Sequence, residues 1–308
     1  MQPYVALGAV LAERGHAVTV STGQGFDDLI EAYALTAALL SLDMQAIMES
    51  TEIKTAMKSV TGWFKAFRSS QDLMPGQLCD MWSVAQRVAP EIVIYNPKAF
   101  IAPYLARALG AIAIPSFLQP DFVATGSFPN PLVRPPDLGA FSDRLPGKAM
   151  SGLMGLGYGM LLGKWLPRHP EVAARPRLGA VDGYHRAGKA VPRLHAHSKY
   201  LVAKPPDWGE DDHVTGYWFL PQQARFEPQA ELAHFLAKGP PPVYIGFGRM
   251  PSTDAYRTAS VVVEVLAATR TRAVLTKGWG ELSAEASTGD AHVVESAPHD
   301  WLFPGAVG

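Results

Sequence analysis

"PEIVIYNPKAFIAPYLARALGAIAIPSF" (residues 90–117) sets two short apolar runs on either side of a longer segment with helical spacing. Residues 90–96 read as a buried strand, 99–110 as a helix closed by Gly110, and 111–117 as the next strand. Strand, helix and strand in that order predict an α/β fold, with a parallel sheet covered by helices.

The same grammar extends outward. Pro3 suits the first turn of a helix that runs to about Arg14, where Gly15 stops it. "HAVTVST" (16–22) then alternates as a strand, and "GQGFDDLIEAY" (23–33) turns into another helix. The proline- and aromatic-rich middle, Gln119 to Pro146, reads mostly as loop, with helical stretches after it. A short strand falls within "PRLHAHSKYLVAKPPDWG" (192–209), and "HVTGYWFL" (213–220) follows. The domain junction is placed near Pro221 to Glu227, giving an N-terminal domain of residues 1–220 and a second of 221–308.

The second domain opens with a helix, "PQAELAHFLAKG" (228–239), that sets Leu232, Phe235 and Leu236 on one side. Strands at 241–248, 272–278 and 291–297, with a helix from Thr253 to Ala268, fit a nucleotide-type α/β domain. Such sheets usually hold about five or six strands, so this one is expected to be incomplete. The helix at Pro3 likewise lacks the strand that normally precedes it.

Composition narrows the function. The 308 residues are 48% hydrophobic and 18% charged, with net charge −1, so large cores and a lightly charged surface are expected. No basic stripe or acidic tail points to nucleic acid. The single cysteine, Cys79, excludes a disulfide framework and a cysteine-rich metal site, and reads as a core residue of an intracellular protein. No His/Glu/Asp spacing suggests a metal ligand set. "HAH" (195–197) is too isolated to count, and His16 reads as structural. The uncharged "AMSGLMGLGYGMLLG" (149–163) is shorter than the roughly 20 residues of a spanning helix. Contact with a lipid surface is left open.

Three stretches can carry chemistry. "YIGFGRMPS" (244–252) joins a strand to a helix: Gly246 and Gly248 let the backbone approach a ligand, and Arg249 can fork toward phosphate. A tight turn without a ligand explains the glycines equally well. In "SAPHDWLF" (296–303), His299 can meet a phosphate or base edge; alternatively His299 and Asp300 cap a short helix while Trp301, Leu302 and Phe303 fill core. Trp279, between two glycines in "LTKGWGEL" (275–282), lines a pocket or covers the sheet edge. On the N-terminal side, "FLQPDFVATGSFPNPLVRPP" (117–136), joined by Trp82 and Phe100, has the aromatic content of a pocket for flat apolar ligands. The same residues serve equally to pack a large loop.

Read together, "QPYVALGAVLAERGHAVTVSTGQGFDDLI", "DWGEDDHVTGYWFL", "FLAKGPPPVYIGFGRM" and "SAPHDWLFP" closely resemble the sterol 3-beta-glucosyltransferase-like branch of the nucleotide-sugar glycosyltransferases. The resemblance spans Gln2 to Val307. It implies the GT-B fold of two Rossmann-like domains, the first holding the acceptor and the second the UDP-sugar. It implies inverting transfer of a hexose, with UDP-glucose as donor and no intrinsic cofactor or bound metal. The implied acceptor is a sterol, lipid or other apolar aglycone. The implied protein is a cytoplasmic monomer, with peripheral membrane contact left open.

By the same resemblance, Gly246, Gly248, Arg249, Trp279, Ser296, Ala297, Pro298 and His299 fall on the donor side. Arg249 replaces the family's usual serine, and Glu281 replaces a glycine. Trp82, Phe100, Phe117, Gln119, Phe122 and Phe128 are the acceptor-side candidates. The family's aspartate-bearing opening loop and its diphosphate-binding glycine loop have no counterpart here. The expectation is therefore a chain cut at both ends and inactive alone, with no catalytic residue named. A non-catalytic acceptor-binding module, a gene-model fragment and a glycosyltransferase for antibiotics or glycolipids are the alternatives.

Overall fold

The computed structural model describes residues 1–41, 76–120, 123, 125–128, 165, 169, 172, 185–186, 189–220, 226–246, 255–276, 290–295 and 297–306. These form two compact units, one ending at Leu220 and the other beginning after it. The apolar segment 149–163 lies outside the described residues. Among those described, no helix is long and apolar enough to cross a membrane.

The first unit opens with α1 (Gln2–Glu13), β1 (Thr19–Thr22), α2 (Asp27–Glu31) and β2 (Thr36–Leu39). Gly15 (φ +88°) ends α1 through bonds that only a left-handed residue allows. Its amide donates to the Ala12 carbonyl at 2.9 Å, and that of His16 to Leu11 at 3.1 Å. β1 and β2 pair in parallel, Thr19 opposite Thr36. Val5, Val20, Ile30 and Leu35 make the core beneath α1. Gly8 lets the helix sit close: a methyl there would come within 2.9 Å of Leu35 Cδ1 and 3.3 Å of Val18 Cγ1.

A helix over 76–88 (α3) leads to β3 (Ile92–Tyr95), α4 (Ala102–Ala108) and β4 (Ile112–Phe117). β3 and β4 pair in parallel, as the central stretch predicts. The helix is shorter than its sequence pattern because Asn96 bends the entry. The Asn96 side chain accepts from the Lys98 amide at 3.0 Å and its carbonyl from the Ala99 amide at 2.8 Å. Leu78, Trp82, Ile101, Leu105, Trp165 and Val172 form the core that α3 and α4 share. Cys79, expected in the core, is exposed instead, because α3 turns the face of Leu78 and Trp82 inward.

A two-residue antiparallel ladder, β5 (His185–Arg186) with β6 (Lys189–Ala190), precedes β7 (Arg193–His195) and β8 (Asp212–Val214). The four-stranded sheet runs β3-β4-β7-β8 with every pairing parallel.

The second unit comprises α5 (Ala230–Ala237), β9 (Val243–Gly246), α6 (Ala255–Thr269), β10 (Ala273–Thr276), β11 (Ala291–Val294) and α7 (His299–Leu302), closed by a 3-10 turn at Phe303–Gly305. Its parallel sheet has the order β11-β10-β9. Side chains alternate across it. Ile245, Ala273, Leu275 and Val293 face Val262, Val263 and Leu266 of α6, while Tyr244, Val274 and Val294 face Leu232 of α5 and Leu302. Arg272 ties down the end of α5, donating to the carbonyls of Phe235 and Pro240. Its guanidinium lies 4.4 Å from the centre of the Phe235 ring.

Candidate functional site

In sheets of this kind ligands meet the carboxyl ends of the strands, where loops rather than side-chain layers cover the backbone. In the first unit β1 and β2 open there onto a cleft of about 570 Å³. Leu39 and Leu40 supply apolar surface, and Gln24, Asp27, Asp80 and Arg87 a polar margin. Asp80 is held at this margin by the Ser41 hydroxyl and by the Ser41 amide, the latter at 3.1 Å.

At the ends of β3 and β4 lies a hydroxyl network. The Ser116 hydroxyl sits 2.9 Å from the Tyr95 carbonyl and 3.1 Å from the Tyr4 phenol, which reaches the Ser116 carbonyl at 3.4 Å. Burial pushes the Tyr4 phenol up from its usual pKa, against hydrogen bonds with Ser116 and Asn96 that pull it down. Tyr4 stays a neutral hydroxyl, edge-on to Trp218 at 6.0 Å.

The sequence candidates on this side separate. Trp82 is a core residue, and Phe100 packs against the same core. Phe117, 1% exposed, stacks on His195 at 4.9 Å. Gln119 is exposed and Phe128 half-buried, while Phe122 lies outside the described residues.

The "HAH" stretch, set aside as isolated, acquires a partner from the next strand. β7 and β8 pair with Arg193 opposite Asp212, and Asp212 then receives both Arg193 Nη2 at 2.5 Å and His195 Nε2 at 2.9 Å. His195 is sandwiched between Phe117 and Trp208, the latter ring at 4.0 Å. Burial alone would raise the Asp212 carboxyl, but the His195 hydrogen bond and the Arg193 charge outweigh it and hold it below the usual range. A histidine one strand away from an acid 17 positions later carries no sequence signature.

In the second unit, three side chains converge at the carboxyl ends of β9 and β10. The Tyr244 hydroxyl lies 3.1 Å from Thr276 Oγ1 and 3.0 Å from His299 Nε2. His299 stacks on Phe303 at 4.8 Å, and Tyr244 leans on the same ring at 5.2 Å. Gly246 belongs to this cluster by its bareness: a methyl there would overlap the Tyr244 phenol and the Thr276 hydroxyl. Pro298 caps α7, its carbonyl accepting from Leu302 N at 2.9 Å, and Ala297 packs inward. Leu302 is fully buried and Trp301 packs on Phe226, whereas Phe303 is 48% exposed. Gly248, Arg249, Trp279 and Ser296 lie outside the described residues. Tyr244 and Thr276 were missed in the sequence because each reads as an ordinary strand residue. Among the described residues no three of His, Cys, Asp and Glu converge as metal ligands.

Residues 1–125 match the glycosyltransferase family 28 N-terminal domain. Along 99% of its length the chain is similar to sterol 3-beta-glucosyltransferase UGT80B1 of Arabidopsis thaliana, 29% identical over 312 residues and covering 50% of that protein. The Arabidopsis thaliana enzyme UGT80A2 is also 29% identical, over 324 residues, with 99% of the chain and 48% of that protein covered. The sterol 3-beta-glucosyltransferase of Saccharomyces cerevisiae (strain YJM789) is 26% identical over 326 residues, 99% of this chain and 26% of that protein. The chain thus spans about half the length of the plant relatives it matches. Among solved structures, the glycosyltransferase of kitacinnamycin (TM-score 0.55, 15% identity) is covered over 70% of its length by 99% of the chain. SnogD from Streptomyces nogalater (TM-score 0.54, 17% identity) is covered over 72%, again by 99% of the chain. These neighbours are GT-B glycosyltransferases, and the fold here is of that type, as the resemblance implies.

Proposed function

We propose that this chain, whose first 125 residues match the glycosyltransferase family 28 N-terminal domain, serves hexosyl transfer from a UDP-sugar to the hydroxyl of a sterol or similar apolar alcohol. The observation that carries this reading is the relation to sterol 3-beta-glucosyltransferases over 99% of the chain. The geometry is compatible with it. The first unit offers a cleft at the carboxyl ends of parallel strands, where Leu39, Leu40 and Val84 give an apolar wall beside a polar margin able to meet an acceptor hydroxyl. The second offers an aromatic, hydrogen-bonding cluster at the equivalent edge, Tyr244, Thr276, His299 and Phe303, suited to the base of a nucleotide.

In the reaction the acceptor oxygen bonds to the anomeric carbon as the bond from that carbon to the diphosphate breaks. The hydroxyl proton passes to a base, and donors facing the diphosphate meet its growing charge. UDP-glucose is the donor we favour, by its agreement with the names of the relatives.

The test is direct. The purified chain is incubated with UDP-glucose and ergosterol, product is sought by mass spectrometry, and sterol binding is measured in parallel by fluorescence. Saturable sterol binding, with or without turnover, supports the reading. A folded chain that binds no sterol or apolar alcohol, and yields no glucoside, overturns it.

A further inference from the structure

The chain that leaves β7 is held at both ends of a short excursion. His195, Ala196 and His197 are buried on one side, and Pro205 on the other, where its carbonyl accepts from the Trp208 amide at 3.1 Å. Between them Ser198 builds a tight turn. Its carbonyl accepts from the Leu201 amide at 3.2 Å and the Val202 amide at 3.0 Å, and its hydroxyl from the Tyr200 amide at 3.2 Å. The turn is thus ordered by backbone bonds that its outermost side chains do not make.

Those side chains are apolar and face water. Tyr200 is 87% exposed and Leu201 76%, while Val202 beside them is half-buried. Lys199 and Lys204, both exposed, bracket the pair, and the Lys199 ammonium lies 5.3 Å from the centre of the Tyr200 ring. Among the described residues neither lysine has an ion-pair partner. No acidic residue occurs from 195 to 206. The carboxylates that follow are engaged or distant. Asp207 accepts from Thr125 and Gly126, and Asp212 is buried against His195. Glu210 and Asp211 precede β8 at the amino end of the sheet, where the Asp211 carbonyl meets the Arg193 amide at 2.7 Å.

A tyrosine and a leucine held outward between two cations match an anionic lipid surface. The lysines meet headgroup charge while the ring and the leucine enter the boundary with the acyl chains. A second copy of this chain suits the turn less well, because a two-fold contact would set its lysines against themselves. We infer that the turn at 198–204 is a membrane contact, by which the first unit rests on a bilayer containing anionic lipid. The inference is independent of the functional reading above, since it involves neither acceptor nor sugar nucleotide.

The purified chain is sedimented with sterol-free vesicles of phosphatidylcholine alone or of an equal mixture with phosphatidylserine. Binding should need phosphatidylserine and fall as salt is raised. Lys199→Gln and Lys204→Gln should each weaken it about fivefold, and Leu201→Ser about tenfold through lost apolar burial. Phe219 gives the comparison: it is 80% exposed, but no charged residue lies within 215–220. Phe219→Ser should bind as the parent does. Entry into the bilayer is read from an environment-sensitive fluorophore on Leu201→Cys in a Cys79→Ser background, Cys79 being the chain's single, exposed cysteine. Its emission should move to the blue with the mixed vesicles. Absence of binding, equal binding to both vesicles, or a loss in Phe219→Ser as large as in Leu201→Ser overturns the assignment. Dimerisation of the free chain that Leu201→Ser abolishes overturns it in favour of a second copy. If Leu201→Ser fails to fold, the two lysine variants carry the comparison.

Discussion

His195 Nε2 stands 2.9 Å from Asp212 Oδ1, with both side chains shut off from solvent. The acid also holds Arg193 and the Gly209 amide, so its removal strands three donors at once. Asp212→Ala should destabilise the first unit by about 3 kcal/mol, the scale of breaking a buried charged pair by deleting one partner. Urea denaturation followed by tryptophan fluorescence measures it. The folded carboxyl titrates below its ordinary 3.8, so its stabilisation is present above that pH and is lost as pH falls through the lower folded value. Asp212→Asn should flatten this acid limb, and an unchanged slope below pH 3.8 would count against the assignment.

His197 gives a second, separate acid response. It is 3% exposed, and its ring lies 5.9 Å from that of His195. Burial pushes it below its ordinary 6.5, the nearby His195 adds to this, and the Ser198 backbone opposes it. A histidine depressed in the fold stabilises above the unfolded value, and that contribution is lost as pH falls from 6.5 through the lower folded value. His197→Phe keeps an aromatic ring without a proton site. Stability of the variant should lose its pH dependence in this window and equal or exceed the parent's at neutral pH.

These two histidines show where sequence reading stops. The central strand–helix–strand was legible because apolar periodicity and the stop at Gly110 are local properties, and the parallel β3–β4 pair follows from them. β2 was passed over because "TAAL" (36–39) has neither β-branched density nor clean alternation. The helix over 76–88 was passed over although Pro75 and Pro90 frame it. The polar clusters were illegible for another reason. Asp207 with Thr125, and Tyr4 with Ser116, join residues 82 and 112 positions apart, and only the strand order brings them together. Gly246 and His299 were picked out singly, while Tyr244 between them was not.

Among the described residues, three helices end on a left-handed residue that carries a side chain or methyl group: Ala34 (φ 55°), Ala89 (φ 46°) and Arg270 (φ 51°). At two helix ends the chain instead uses glycine, Gly15 at φ 88° and Gly110 at φ 75°. The bond pattern at Ala34 is the same, with Leu35 N donating to Ile30 O at 3.3 Å and Ala34 N to Glu31 O at 2.9 Å. Ala34→Gly should therefore stabilise the first unit by up to about 1 kcal/mol, because strain relief exceeds the added freedom of the unfolded chain. Gly15→Ala should cost about as much in the other direction. Thermal unfolding of both variants checks the pair, and equal signs would refute the account.

The final prediction concerns Gly246, which lies opposite Thr276 in the parallel register of β9 and β10. Tyr244, two positions earlier, projects on the same face. The three positions thus compete for one space, and glycine yields it to the two hydroxyl groups. Gly246→Ala puts a methyl where the Tyr244 phenol and Thr276 hydroxyl now sit. Both must rotate away, and the Tyr244 contact with His299 Nε2 at 3.0 Å goes with them. The strain of overfilling such a site is about 1–3 kcal/mol, and it should appear as lower stability of the second unit. Tyr244→Phe serves as the control, since it removes the hydroxyl without adding volume. Both variants should shift the His299 ring resonances in NMR spectra, but only Gly246→Ala should lower stability by the strain of overfilling. If UDP-glucose binds the parent, both should also weaken that binding, because the ring of His299 is held against Phe303 and Tyr244 as one surface. Unaltered His299 resonances in Gly246→Ala would show that the added methyl finds room without moving Tyr244, and that glycine is not required there.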